Sequence, residues 1–244
     1  MQGARDLVRG DANTEWGSVE PGYRVVEASL IPLLGLWFRW TIEGRENIPA
    51  RGPAIVACNH VSYLDPLAVA YAISTAGRRP RFLAKSELFR NPVLAGLLRM
   101  TGQIEVERGT ARAALAFHRA LEALDRGEIV VIFPEGTVTT DPELQPMAPK
   151  SGAVRLALRA QAPLIPCAAW GTANVWPKGD YAHSWRPGQD ILVRIGEPMA
   201  VGGDASDATS WRRAGVQIMG EIARLVAGLK PLLPDRRRPL ERPA

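Results

Sequence analysis

Between residues 30 and 229, short apolar runs alternate with segments in which apolar residues recur every three or four positions. Short uninterrupted runs bounded by glycine, proline or polar residues are typical of buried strands, and the longer period is typical of amphipathic helices. The pattern predicts strands at Ala54–Cys58, Arg81–Ala84, Gln103–Val106, Ile129–Phe133, Leu164–Ala169 and Ile191–Ile195. It predicts helices at Leu30–Trp40, Pro66–Thr75, Pro92–Met100, Ala111–Arg126, Ser151–Arg159 and Ser210–Leu229.

Several of these strands, such as Ile129–Phe133, are apolar at every position. Such a strand is buried on both faces, which is usual where helices cover both sides of a mostly parallel sheet. Thr110 and Gly127 stand where a helix between them would take its amino-terminal cap and its carboxyl-terminal glycine. We therefore predict a single α/β domain with a mostly parallel or mixed central sheet covered by helices.

The chain divides into four predicted segments. Residues 1–24 mix acidic and basic side chains, lack the pattern of a signal peptide and are predicted to be flexible. Residues 25–42 are predicted to form an interfacial helical segment and residues 43–230 the α/β domain. Residues 231–244, rich in proline and arginine, are predicted to form a disordered basic tail.

The longest apolar stretch, Ala28–Phe38, is bounded by Glu27 and Arg39. A helix that crosses a bilayer needs about 20 apolar residues, so this stretch is too short to span a membrane. It could pack as a core helix or lie in the membrane interface, with Trp37 and Trp40 at headgroup depth. We favour the interfacial position.

Composition narrows the choice of partner. Of 244 residues, 46% are apolar and 23% charged, as in ordinary globular proteins. The net charge of +5 favours nucleic acid, an anionic lipid surface or a phosphorylated substrate. We find no zinc finger, helix-turn-helix or RNA-binding aromatic signature, and we expect no nucleic-acid partner. The two cysteines are too few for a disulfide framework and indicate a reducing, cytoplasmic setting.

Candidate chemistry begins in residues 59–66, directly after the predicted strand Ala54–Cys58. Ligands of open α/β sheets bind where strands end. His60 and Asp65 can meet only if the chain turns between them, and Pro66 favours such a turn. A carboxylate that holds one imidazole nitrogen would leave the other nitrogen free to accept a proton. Alternatively, Asp65 is only the amino-terminal cap of the following helix and His60 only bonds to backbone.

Three further segments carry candidate binding residues. Phe133–Thr137 ends an apolar strand with proline and glycine and places Glu135 at its rim. Arg108 ends a short alternating strand and Lys150 precedes a predicted helix, so the two could form a phosphate pocket. Pro163–Pro166 lies in an apolar strand. Taken singly, these segments are equally compatible with a plain turn, solvated basic side chains and a core strand.

Taken together, the segments resemble those of a known enzyme family. The patterns Asn-His-x4-Asp-Pro, Gly-x-Ile-x-Val-x-Arg, Phe-Pro-Glu-Gly-Thr and Pro-Leu-Ile-Pro occur in this order. They are similar to four blocks of the glycerolipid acyltransferases, in particular the 1-acylglycerol-3-phosphate acyltransferases. Glu43–Pro49 and Ala84–Leu88 also resemble that family, and the resemblance covers residues 27–197.

The resemblance implies transfer of a fatty acyl group from acyl-CoA or acyl carrier protein to the free hydroxyl of 1-acylglycerol-3-phosphate, giving phosphatidic acid. His60 would be the general base and Asp65 the residue that orients it. Pro166 would help to line the donor site. The family uses no metal and no cofactor besides its donor substrate. The residues implied in acceptor binding are Arg108, Glu135, Gly136 and Thr137.

Family members also carry an amino-terminal helical element that sits in one membrane leaflet, which fits Leu30–Trp40. We therefore expect a peripheral or monotopic protein on the cytoplasmic face of the cell membrane, with anionic lipid as a partner. The basic side chains expected to contact lipid are Arg78, Arg79, Arg81 and the arginines of residues 236–238.

One position departs from the family pattern, because Val138 stands where arginine commonly follows Phe-Pro-Glu-Gly-Thr. The missing cation shifts the expected phosphate contact to Lys150 or Lys85, or indicates another lysophospholipid or a glycolipid as acceptor. Two hypotheses of other classes remain. One is a noncatalytic lipid-binding protein, and the other is a hydrolase or acyl carrier that uses Cys58 with His60.

Overall fold

The computed structural model describes residues 21–107, 112–179 and 185–236 of the chain. The strands in these ranges are β1 (Phe38–Glu43), β2 (Ala54–Cys58), β3 (Pro80–Lys85), β4 (Ile104–Val106), β5 (Ile129–Ile132), β6 (Leu164–Trp170) and β7 (Gln189–Ile195). The α-helices are α1 (Pro21–Trp37), α2 (Asp65–Thr75), α3 (Pro92–Met100), α4 (Arg112–Asp125), α5 (Gly152–Ala160), α6 (Thr172–Val175) and α7 (Ala208–Leu229). Within the described ranges, every helix is too short or too polar to cross a membrane.

These strands form one sheet in the order β1-β7-β6-β2-β5-β3-β4. Strands β6, β2, β5, β3 and β4 run parallel, whereas β7 is antiparallel to β6 and parallel to β1. The predicted α/β fold with a mixed central sheet is confirmed. The carboxyl ends of the five parallel strands share one side of the sheet, which we call the carboxyl edge. The loops that leave β2, β5 and β6 begin there.

Strand β2 shows why the apolar runs are uninterrupted. Ile55 and Ala57 belong to the core on the side of α4, α5 and α7. Val56 and Cys58 belong to the core on the side of α1 and α2. Successive side chains of a strand point to opposite faces, and helices cover both faces of this sheet. Every position of β2 is therefore buried, and no polar residue interrupts the run.

The amino-terminal helix differs from the predicted Leu30–Trp40. Helix α1 begins at Pro21 and ends at Trp37, and the residues that follow form β1. Phe38 is buried and Arg39 is exposed, and this alternation continues along β1. Such a period of two is that of a strand, but here it was hidden at the end of a longer apolar stretch. The prediction that the helix continues to Trp40 is wrong.

Two other local predictions concern the ends of α4. Gly127 follows the helix with a φ of 75°, and its N–H donates to the Leu124 carbonyl at 2.8 Å, which confirms the predicted carboxyl-terminal glycine. The predicted cap, Thr110, lies outside the described residues.

The expectation that Arg78 and Arg81 contact lipid is wrong, because both side chains are buried. Arg81 forms an ion pair with Glu128 at 2.8 Å. Arg79 lies between them in sequence and is half-buried, with its guanidinium 4.3 Å from the centre of the Tyr23 ring. Of these three arginines, only Arg79 retains a partly exposed surface.

Arg78 connects two irregular segments of the backbone. Its guanidinium donates hydrogen bonds to the carbonyls of Pro49, Gly52 and Gly127, the last two at 2.8 and 2.7 Å. These carbonyls belong to the segments that lead into β2 and β5. Burial lowers the pKa of Arg78 to about 10. The side chain therefore holds the entries of two central strands together.

We predict that Arg78→Met strongly destabilises the protein, because methionine leaves three carbonyls without their donor. Each unsatisfied buried carbonyl costs about 1–3 kcal/mol, so the free energy of unfolding should fall by at least about 3 kcal/mol in urea titrations. Arg79→Met is the matched control and should cost about 1 kcal/mol or less. Equal losses in the two variants would contradict the role assigned to Arg78.

Candidate active site

The segment that carries His60 is fixed where it leaves the sheet. Asn59 is fully buried, and its side-chain amide bonds to both backbone groups of Ala169 in β6. The Ala169 N–H donates to Asn59 Oδ1 at 2.8 Å, and Asn59 Nδ2 donates to the Ala169 carbonyl at 3.1 Å. The amide thus replaces one further pair of backbone hydrogen bonds between β2 and β6. It therefore fixes the position of His60 at the carboxyl edge.

Asp65 is fully buried and points back along the chain. Its Oδ2 accepts hydrogen bonds from the Val61 and Ser62 N–H groups at 2.6 and 2.7 Å and from His60 Nδ1 at 2.9 Å. The helix cap is Leu64, which makes no side-chain cap bond. The prediction that Asp65 is the amino-terminal cap of α2 is wrong, because its carboxylate bonds to the preceding loop instead of the following helix.

The imidazole of His60 has one bonded and one open nitrogen. Because Asp65 Oδ2 is an acceptor, Nδ1 carries the proton of the neutral ring and Nε2 carries the lone pair. The ring stacks on Phe133 with 4.2 Å between centroids, and 15% of the side chain is exposed. No hydrogen bond to Nε2 occurs among the described residues. This nitrogen is therefore oriented to accept a proton from a bound hydroxyl.

Thr172 completes the environment of Asp65 and was not foreseen from the sequence. Its hydroxyl donates to Asp65 Oδ1 at 2.6 Å. It follows Gly171, whose φ is 85° and where a Cβ would lie 2.5 Å from the Asp190 carbonyl. The glycine permits a sharp turn after β6 that brings the threonine to Asp65. A hydroxyl residue directly after such a glycine at the carboxyl edge is the only sequence signal for it.

Glu135 holds the backbone of the His60 loop. Its Oε1 accepts from the His60 N–H at 2.9 Å, and its Oε2 accepts from the Met147 N–H at 3.0 Å. The Thr139 N–H in turn donates to the His60 carbonyl at 2.7 Å. Burial raises the pKa of Glu135, and these two backbone hydrogen bonds oppose that shift. Both carboxylate oxygens are thus bonded to backbone, so Glu135 positions His60 in this geometry.

Two of the implied acceptor residues lie beside Glu135. Gly136 has a φ of 77°, and a Cβ there would come within 3.0 Å of the Lys150 side chain. The Lys150 N–H donates to the Pro134 carbonyl at 2.9 Å, and its exposed side chain therefore lies across the turn. Thr137 is half-buried in the same turn. The structure brings these residues together at the turn whose Glu135 bonds to the His60 N–H.

The remaining implied residues are placed differently. Lys85 is exposed at the end of β3. Pro166 is buried inside β6, where its carbonyl accepts from the Gly196 N–H at 2.8 Å. Arg108 lies outside the described residues. A lysine that the sequence did not single out, Lys178, donates from Nζ to the Val138 carbonyl at 3.0 Å.

The hypothesis of a cysteine nucleophile receives no support from the geometry. Cys58 and Cys167 are both buried on neighbouring strands and have no access to solvent. Burial, followed by the neighbouring Cys167 thiol, raises the pKa of Cys58 well above its usual value. The thiol is therefore protonated near neutral pH, whereas a nucleophilic cysteine must supply a thiolate.

Comparisons with known proteins agree on one family. A family model described as acyltransferase matches residues 39–170. A chloroplastic 1-acyl-sn-glycerol-3-phosphate acyltransferase of Brassica napus is 30% identical over 145 residues, which cover 59% of this chain and 40% of that protein. The 1-acyl-sn-glycerol-3-phosphate acyltransferase of Bacillus subtilis is 29% identical over 177 residues, which cover 72% of this chain and 82% of that protein.

A solved structure agrees with these matches. The crystal structure of the 1-acyl-sn-glycerophosphate acyltransferase of Thermotoga maritima superimposes with a TM-score of 0.65 at 26% identity. The superposition covers 87% of this chain and 80% of that one. The chain therefore spans about 40% of the length of the Brassica protein but most of the length of these two bacterial proteins.

We predict that Glu135→Gln destabilises the loop that carries His60, because the glutamine NH2 group must face one of two backbone N–H groups. The free energy of unfolding should fall by about 1–3 kcal/mol in urea titrations. Burial raises the pKa of Glu135 in the folded protein above its unfolded value, so the folded state binds more protons between these two values. The wild-type free energy of unfolding should therefore fall as pH rises through this interval. The variant should lack this dependence.

Glu143→Gln provides the matched control, because Glu143 is exposed on the same stretch between β5 and α5. It should change the free energy of unfolding by no more than about 0.5 kcal/mol. If Glu135→Gln were equally neutral, the bonds between Glu135 and the two backbone N–H groups would be unimportant for the fold.

Proposed function

This chain belongs to the acyltransferase family, and on that basis we propose that it transfers a fatty acyl group from acyl-CoA or acyl carrier protein to the free hydroxyl of 1-acylglycerol-3-phosphate, giving phosphatidic acid. The observation that carries the proposal is the bond from His60 Nδ1 to Asp65, which leaves Nε2 open at the carboxyl edge. The similarity to the 1-acyl-sn-glycerol-3-phosphate acyltransferases of Brassica and Bacillus supports the choice of acceptor.

The proposed reaction needs one proton carrier. His60 Nε2 takes the proton of the acceptor hydroxyl while the hydroxyl oxygen attacks the carbonyl carbon of the thioester. The tetrahedral intermediate collapses, the C–S bond breaks, and the proton on Nε2 passes to the leaving thiolate. Asp65 stabilises the imidazolium that forms between these steps. General-base assistance of this kind is worth about 10²–10⁴-fold in rate.

The phosphate of the acceptor would be bound by cations at the turn after β5. Two ammonium groups lie at this turn, since Lys150 lies across Gly136 and Lys178 bonds to the Val138 carbonyl. Lys178 thus brings a positive charge to the position where the family commonly has arginine. Arg108 remains the third proposed cation. This arrangement supports a phosphorylated acceptor in spite of the valine at position 138.

An acceptor of this kind is a membrane lipid, so the enzyme would work at a bilayer surface. The outer side of α1 exposes Leu33 and Leu36, and that of α3 exposes Val93 and Leu97. The two helices adjoin, because Gly22 at the start of α1 contacts Met100 at the end of α3. Exposed apolar side chains of this kind would suit the cytoplasmic face of a cell membrane, where the protein would be peripheral or monotopic.

We predict that Asp65→Asn lowers kcat by about 10²–10⁴-fold, because a neutral amide cannot stabilise the imidazolium that forms on His60 during transfer. Turnover of acyl-CoA with 1-acylglycerol-3-phosphate would be followed by mass spectrometry of the product, with circular dichroism as the test of folding. Asp207→Asn is the control, because Asp207 caps α7 through its side chain and asparagine caps equally well. If Asp65→Asn were as active as Asp207→Asn, His60 would need no carboxylate.

We predict that Lys178→Met lowers kcat/KM for 1-acylglycerol-3-phosphate by about 10- to 150-fold, since a charged hydrogen bond is worth about 1.5–3 kcal/mol. The loss should be small for 1-acylglycerol, which lacks the phosphate, and Arg108→Ala should show the same selectivity. Lys230→Met is the control, because Lys230 also donates to a backbone carbonyl, that of Glu143. Equal losses for both acceptors would mean that Lys178 supports the turn after β5 or the acyl donor and does not bind the acceptor phosphate.

A further inference from the structure

Four aromatic rings form a continuous line that begins in the His60 loop. Tyr63 contacts Trp176 with 5.7 Å between centroids, Trp176 contacts Trp185 at 5.7 Å, and Trp185 contacts Phe38 at 6.1 Å. We call these four residues the aromatic strip. Tyr63 is 46% exposed and Trp185 is 37% exposed. Aromatic rings inside a hydrophobic core are shielded from solvent, so core packing alone does not explain the exposure of Tyr63 and Trp185.

The strip connects the candidate active site with the end of α1. Tyr63 lies between His60 and Asp65 in the chain. At the other end, Phe38 directly follows Trp37, the last residue of α1, and the Gly188 N–H donates to the Trp37 carbonyl at 2.7 Å. Trp185 thus contacts buried Phe38, which directly follows the apolar end of α1, where Leu36 is 87% exposed.

Charge beside the strip points to an anionic surface. Arg186, which directly follows Trp185, is exposed, and half-buried Lys178 lies two residues after Trp176. Tryptophan and tyrosine prefer the boundary between headgroups and acyl chains, where the ring is buried and its polar atom stays hydrated. Basic side chains at that depth are attracted by anionic headgroups. The strip thus combines the two features of an interfacial anchor.

We propose that the aromatic strip is a second membrane anchor, which inserts Tyr63 and Trp185 at the headgroup boundary and seats the carboxyl edge of the sheet on the bilayer. The occupant of this surface is the lipid interface itself. The inference deepens the proposed function, on which it rests for the presence of a lipid acceptor. Its consequence is that His60 faces the layer in which the acceptor hydroxyl lies.

The test uses the full chain and unilamellar vesicles of phosphatidylglycerol and phosphatidylcholine with brominated acyl chains, which quench tryptophan on contact. Trp185→Phe removes an emitter that the proposal places in the bilayer, so the quenched fraction of the fluorescence should fall. Trp211→Phe is the matched control, because Trp211 lies on α7, on the opposite face of the sheet, with its Nε1 bonded to the Ala205 carbonyl. There the quenched fraction should rise, since an unquenched emitter is lost.

A second measurement is the partition of the protein onto the same vesicles without bromine. Trp185→Ala should weaken partition by about tenfold, which corresponds to about 1.4 kcal/mol, and Trp185→Phe should retain most of the affinity. Thermal unfolding checks that each variant folds. An unchanged quenched fraction in Trp185→Phe, or equal partition of Trp185→Ala and the wild type, would overturn the proposal.

The same variants would also reveal a different ligand on the aromatic strip. If Trp185→Ala partitioned normally but raised the KM for the acyl donor, the strip would be a groove for the donor chain, and the membrane anchor would be refuted. Neither quenching nor partition requires turnover. A preparation that bound vesicles as expected but transferred no acyl group would therefore count against the proposed function alone.

Discussion

A carboxylate that is completely shielded from water must be surrounded by donors, because an unpaired buried charge is costly. Asp65 meets this requirement with four hydrogen bonds, from His60, Val61, Ser62 and Thr172. Three of the donors require the loop after β2 to fold back on itself, and the fourth requires β6 to end beside it. The parallel register of β2 and β6 and the Asn59 bridge between them are therefore conditions for the orientation of His60.

Polar side chains buried elsewhere in this chain hold backbone in a similar way. Glu135 holds the N–H groups of two segments, and Arg78 holds three carbonyls from two segments. Backbone groups in irregular segments lack the partners that helices and sheets provide, so a side chain of suitable length must supply them. The loop that carries His60 and the segments that lead into β2 and β5 are consequently held by side-chain hydrogen bonds. Such order suits a site in which an imidazole must keep one orientation.

Much of this arrangement could be predicted from the sequence, and the exceptions share a cause. The central strands were recognisable because burial on both faces removes polar residues from them, and His60 and Asp65 because they follow such a strand. Strand β1 was missed because its short alternating pattern joins the apolar stretch of α1 and its partner β7 lies about 150 residues away. Thr172 was missed for the same reason, since its contact with Asp65 spans 107 positions. The backbone roles of Glu135 and Arg78 likewise depend on distant segments.

The junction between α1 and β1 has a mechanical consequence. Helix α1 ends at Trp37 and β1 begins at Phe38, so no hinge residue separates the apolar helix from the central sheet. Trp40 in β1 stacks on Tyr71 of α2 with 4.0 Å between ring centroids, and this contact stiffens the junction further. A domain attached to a bilayer through α1 would have no flexible linker that lets its active site move toward a substrate. Acceptors would have to arrive by lateral diffusion, and the encounter would become a search in two dimensions.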